Sequence, residues 1–219
     1  MNTLMRRRRI LAITAFAASS FTGTVYAQVT AGGVKGLLGR ASDAALDRLS
    51  QPGAFSADDA IRIGLPGGAG GAKRLGDLMA LADRAGVTND LSGSLNRAAE
   101  EAAARAKPIF RAAIDRMTLR DLGSIVGGGR TGATDYLKRT SNAEIVAKLA
   151  PLVRSALERA GVFRQSAQLS AVGLTDAKIT DYVSRKTADG IYTYMGREEA
   201  KVRDDPIESG RAILKGLNF

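Results

Sequence analysis

Residues 91–117 read LSGSLNRAAEEAAARAKPIFRAAIDRM. Leu91, Leu95, Ala98, Ala102, Ala106, Ile109, Ala113 and Met117 recur every three or four residues, which places them on one face of a helix. Arg97, Glu101 and Arg105 stand four apart on another face, where they can pair weakly. Pro108 lacks an amide donor and crowds the turn before it, so the spacing predicts a kink or break near Lys107.

The same period continues towards the C-terminus. Thr118-Leu119-Arg120-Asp121 has the form of a capping box, opening a short helix that ends at Gly127-Gly128-Gly129. Another helix is expected over 132–139. Ser141-Asn142-Ala143-Glu144 is a second capping box, followed by the stripe Ile145, Leu149, Leu152, Val153, Ala156, Leu157 and Ala160. Pro151 predicts a kink and Gly161 a stop. A short helix over 164–171 follows. Thr175 or Asp176 then caps the longest late helix, which runs to about Arg203 with Ile179, Tyr182, Val183, Ile191, Tyr194, Met195 and Val202 on its buried side. Gly190 and Gly196 inside it each cost ~1 kcal/mol relative to alanine. Asp205-Pro206-Ile207-Glu208 opens a last helix.

Towards the N-terminus, a helix is expected over 72–84. From Phe55 to Gly71 glycines crowd around Pro66, and no ordinary helix tolerates that density of breakers. A first helix runs over 37–49, stopped by Gln51-Pro52-Gly53, after a flexible start at 28–36. No segment alternates with period two. The fold class is all-α, a compact multi-helix array with a glycine-rich irregular arm near residues 55–71.

The chain has 219 residues, 45% hydrophobic and 25% charged, a balance suited to a packed globular domain. It has no cysteine and no histidine. Disulfides, thiolate nucleophiles, Ser-His-Asp triads, imidazole bases and the usual zinc sites are thereby excluded. No cofactor is implied. Arg6 to Arg9 precede the apolar run Ile10–Ala18, and Val25-Tyr26-Ala27 places small residues before Gln28. This is the pattern of a secretory signal peptide cleaved after Ala27, by the Sec or the twin-arginine route, and it predicts a periplasmic protein. Residues 37–219 then form a single helical domain, without a transmembrane segment once the leader is removed. Four of the ten excess positive charges belong to the leader. The remaining charges are mixed along the chain and point to no nucleic acid.

Several segments together resemble the bacterial "domain of unknown function 4197" family. They are Arg62-Ile63-Gly64-Leu65-Pro66, Leu95-Asn96-Arg97-Ala98-Ala99-Glu100, Ala106-Lys107-Pro108-Ile109-Phe110, Ala133-Thr134-Asp135-Tyr136-Leu137, Asp181-Tyr182-Val183, Asp189-Gly190, Glu198-Glu199 and Pro206. The family's Arg-Ile-Pro-Leu-Pro motif carries glycine here at position 64. The resemblance implies an exported helical protein and no particular reaction.

Three local patterns carry no chemistry. Gly127-Gly128-Gly129-Arg130-Thr131-Gly132 matches G-x-G-x-x-G, but a helix precedes it where a dinucleotide site needs a strand. Gly67 to Lys73 lacks the second glycine and the hydroxyl of a phosphate loop. Glu198 and Glu199 diverge on a helix, interleaved with Arg197, Lys201 and Arg203, and read as a solvated, salt-bridged face and not a metal site.

Two candidates for ligand or partner binding remain. Arg62, Ile63, Leu65 and Pro66 form an extended apolar stretch with one cation, able to dock in a groove of its own domain or of a partner. Tyr182, Arg185, Asp189 and Tyr194 share the late helix, where tyrosine's apolar body and polar tip suit a pocket; Tyr192 and Tyr194 point apart. The expected function is that of a non-catalytic periplasmic binding or interaction protein, whose occupant is an envelope component or a small amphipathic ligand. The alternatives are an envelope enzyme that uses only carboxylates and hydroxyls, and a structural or stress-related envelope protein.

Overall fold

The computed structural model describes residues 31–64, 91–118, 125, 127–165, 170 and 174–204. The expected leader, the helices over 72–84 and after Asp205, and most of the helix opened at Thr118 lie outside them. Five α-helices are present among the described residues: α1 (Ala31–Leu49), α2 (Leu91–Ala104), α3 (Lys107–Arg116), α4 (Gly132–Arg159) and α5 (Asp176–Asp204). Single 3₁₀ turns precede α4 at Gly129–Thr131 and follow it at Val162–Gln165. No strand occurs among the described residues.

The apolar stripe over 91–117 is the inner face of two helices. Leu91, Leu95, Ala98, Ala102, Ala106, Ala113 and Met117 are buried, and Ile109 packs against the core half-covered. The chain breaks between α2 and α3 with Pro108 in the first turn of α3, where its missing N–H leaves no helical bond unmade. The predicted pairing is also present. Glu101 accepts from Arg105 at 3.4 Å, and Arg159 at the end of α4 reaches it at 2.6 Å.

α5 is the central element, packed most extensively on α4 and α1 and also against α2. Thr175 Oγ1 accepts from the Lys178 amide at 3.4 Å at its start, as the capping pattern predicts. Ile179, Val183, Ile191 and Met195 are fully covered, and Gly190 lets the arm approach the helix closely. A Cβ on Gly190 would lie 2.8 Å from the Phe55 ring. The glycine's cost in helix propensity is therefore offset by the burial of Phe55 and Ile61 against α5.

Two boundaries differ from the sequence expectation. α1 begins at Ala31 and not at Leu37, so residues 31–36 of the expected flexible start are helical. Val34 and Leu38, four apart, are both buried, and that packing overrides three poor helix formers, Gly32, Gly33 and Gly36. The two helices expected over 132–139 and after Ser141 are one continuous α4. Ala133, Leu137, Ile145 and Leu149 line a buried face that runs through the boundary. The box does not close: Glu144 turns outward to Arg116 at 2.5 Å and Lys148 at 2.8 Å.

Candidate functional site

Residues 51–64 form the described part of the arm, a chain of turns laid across α2 and α5. Asn96 of α2, 2% exposed, grips it through the backbone of Ile63. Asn96 Oδ1 accepts from the Ile63 amide at 2.9 Å, and its Nδ2 donates to the Ile63 carbonyl at 2.8 Å. Ser92 Oγ donates to the same carbonyl at 3.1 Å. One turn on, Glu100 accepts from the Phe55 amide at 3.1 Å. The polar residues of the Leu95–Glu100 segment thus replace the backbone partners that an irregular buried chain lacks. Tyr182 of α5 donates to the Gly64 carbonyl at 3.0 Å. Arg62 stays at the surface, bound to the Ser56 carbonyl at 2.9 Å and to Asp59 at 2.7 Å.

A second anchor holds the tip of the arm. Asp58 Oδ2 accepts from Tyr194 Oη at 2.9 Å and from Arg197 at 2.5 Å, while Oδ1 accepts from the Ala60 amide at 2.9 Å. These donors, Arg197 foremost, hold the Asp58 carboxyl down at about 2. Tyr194 lies under two guanidiniums, Arg197 at 4.6 Å and Arg48 at 5.5 Å from its ring centre.

On the other side of Arg197 a cleft of about 540 Å³ opens between the start of α4 and the last turns of α5. That volume falls within the range of small-molecule sites. Its lining cations are Arg130, Lys138, Arg197 and Lys201; its lining carboxylates are Asp135 and Asp204. Each cation is held by a carboxylate: Arg130 by Asp204, Lys138 by Asp189 at 2.8 Å, Arg197 by Asp58, and Lys201 by Glu198 at 2.6 Å. Asp189, Asp58 and Glu198 do not line the cleft.

The wall also contains Thr134 and Tyr192, only 2% and 3% exposed. Neither hydroxyl has a hydrogen-bond partner. Tyr192 sets its ring edge-on to Phe110 at 5.7 Å, with Lys138 Nζ 5.6 Å from its ring centre. Burial, aided by Asp189, pushes its phenol well above the ordinary tyrosine value, so the group is a neutral O–H donor. Both hydroxyl oxygens are closed off from solvent, in a position where such groups are normally satisfied.

The start of α4 beside the cleft is closed by the protein itself. Glu199, fully buried, accepts from the amides of Ala133 at 3.0 Å and Thr134 at 2.8 Å, and from Arg203 Nε at 2.9 Å. Only Glu198 belongs to the solvated face expected of this pair. Gly129, with φ of 75°, turns the chain into the 3₁₀ turn that leads into α4, and a Cβ on Gly132 would collide with the Ile125 carbonyl oxygen, so both glycines have structural roles. No group of three or more potential metal ligands occurs among the described residues.

The residues singled out from the sequence do not share one cavity. Ile63 is held by Asn96 and the next residue, Gly64, by Tyr182, while the Arg62 side chain stays on the arm's surface; Leu65 and Pro66 lie outside the described residues. Arg185 stays on its own helix with Asp181 at 2.9 Å. Tyr194 anchors Asp58, and Asp189 meets the cleft lining through Lys138 and through its carbonyl, which accepts from Thr193 Oγ1 at 2.9 Å. Sequence reasoning missed the cleft's Arg130, Thr134, Lys138 and Lys201. The one available signal was the divergence of Tyr192 from Tyr194, which the structure reproduces: one faces the cleft, the other the arm.

The molecule is thus an all-α array with a latched arm and a cleft of mainly apolar surface set among paired charges. The chain belongs to the family described as "Protein of unknown function (DUF4197)", which it matches over residues 24–217. No curated protein and no solved structure matches it.

Proposed function

We propose that this chain is a non-catalytic binding protein, exported to the periplasm, and that the α4–α5 cleft is where it holds its ligand. The observation that carries the reading is the cleft itself, about 540 Å³ between α4 and α5, where Tyr192, Thr193 and Ala200 lie among the ion-paired Arg130, Lys138, Arg197 and Lys201. The cleft suits a small molecule in volume and combines apolar wall with convergent polar groups. Export is supported by the arginine cluster, short apolar run and small residues of positions 6–27. Among the described residues no helix is long and apolar enough to cross a membrane.

The test is native mass spectrometry of the protein purified without denaturation from its own cells, beside an Ala200→Trp variant that fills the cleft. The expected result is a wild-type adduct that disappears on denaturation and is missing from the folded variant. A bare wild-type chain, or an adduct of unchanged abundance in the variant, would refute the reading.

A further inference from the structure

Resting on the binding reading above, we infer that the ligand is a small uncharged molecule with an apolar body, held in the cleft by burial of carbon and not by charge. Each of the four cations in the lining has its own carboxylate partner. A charged ligand would meet every such cation together with its counter-ion, and the opposed Coulomb terms leave little net attraction for either sign. Of the two lining carboxylates, Asp204 holds Arg130. Asp135 accepts from Thr131 Oγ1 at 2.8 Å and stands in the first turn of α4, where the positive end of the helix offsets its charge. Glu199 occupies the amides of Ala133 and Thr134, which closes those donors to an outside anion.

The lining hydroxyls are likewise engaged or covered. Thr131 Oγ1 donates to Asp135, and Thr193 Oγ1 donates to the Asp189 carbonyl at 2.9 Å. The Thr134 and Tyr192 oxygens are shut off from solvent. Gly196 and Ala200, one turn apart on α5, add no polar side-chain atom. The surface left to a ligand is mainly apolar, and the stems of the paired lysines and arginines extend it. Water in such a cleft finds few unengaged side-chain partners, and its release when an apolar body enters drives binding. An ionic group on the ligand would lose hydration there and gain no counter-charge of its own.

The experiment compares three probes that share an alkyl body and differ in charge at neutral pH: 1-octanol, octanoate and octylammonium. The chain is unfolded, freed of any retained molecule and refolded. Each probe is titrated below its micelle concentration and followed by amide chemical shifts. Octanol is expected to give saturable shifts confined to Thr193, Gly196, Ala200 and neighbouring amides. Its affinity should not fall as salt is raised, since no charge pair is made. Octanoate and octylammonium should each bind about tenfold more weakly. Lys201→Gln, at an exposed position, should leave the octanol affinity within about twofold, and Ala200→Trp should abolish it. The wild-type comparisons stand whether or not the tryptophan variant folds. The inference is overturned by a charged probe that binds as tightly as octanol, or by an octanol affinity that falls about tenfold with salt or in Lys201→Gln. No saturable shift at the cleft with octanol also overturns it. A natural adduct that carries a net charge overturns it too, yet leaves the binding reading standing. Absence of any adduct removes that reading itself.

Discussion

Replacing Tyr192 by phenylalanine should stabilise the ligand-free protein. The Tyr192 side chain is 3% exposed, and its ring meets Phe110 edge-on at 5.7 Å. Phenylalanine keeps that contact and the ring's burial. Only the hydroxyl is removed, and that hydroxyl has no partner. An unsatisfied buried hydroxyl costs about 1–3 kcal/mol. The void left by one oxygen and its lost dispersion contacts offsets part of this. The net expectation is a gain of about 1 kcal/mol. In a domain of this size that is a rise in Tm of roughly 2–4 °C. The assay is urea unfolding of refolded, ligand-free protein, with thermal unfolding beside it. An unchanged slope and a higher midpoint would be read as stability alone. A loss of 1 kcal/mol or more would refute the reasoning, because it would mean that the hydroxyl has a partner in the free protein.

Other expectations concern the arm. Asn96→Leu removes both side-chain bonds to Ile63 and leaves that buried amide without an acceptor; a loss of about 3 kcal/mol is expected in urea unfolding, with faster hydrogen exchange at Ile63. Gly190→Ala improves helix propensity but drives a methyl to 2.8 Å from the Phe55 ring, so Tm should fall by several degrees and not rise. Asp58 has a folded pKa of about 2 against an ordinary 3.8, so the folded state binds fewer protons there. Its contribution is therefore present above pH ~4 and lost as pH falls towards 2, and Asp58→Asn should flatten stability against pH in that window.

The fold was legible where burial and period coincide. The stripe from Leu91 to Met117 and the break at Pro108 are both present, and α5 ends one residue beyond the expected Arg203. The errors arose where a local signal met a longer-range packing face. Ser141 to Glu144 has the composition of a cap, yet the face carrying Leu137 and Ile145 is continuous, and the helix follows the face. Val34 likewise draws glycines into α1.

The arm was half legible. Arg62 to Pro66 is plainly irregular in sequence, but nothing in the spacing says that Asn96 supplies its hydrogen bonds from the neighbouring helix. The cleft was not legible. Arg130, Thr134 and Lys138 lie about sixty residues from Tyr192, Arg197 and Lys201, and each alone is an ordinary helix residue. Only the packing of α4 on α5 brings them together, and only the pairing of every other hydroxyl nearby makes Thr134 and Tyr192 stand out.

The central claim is that the α4–α5 cleft holds a ligand. A crystal structure of the protein, purified from its own cells without denaturation, tests this most directly. The account predicts non-protein density in the cleft, against Tyr192, Thr193 and Ala200. A cleft containing solvent alone would contradict it.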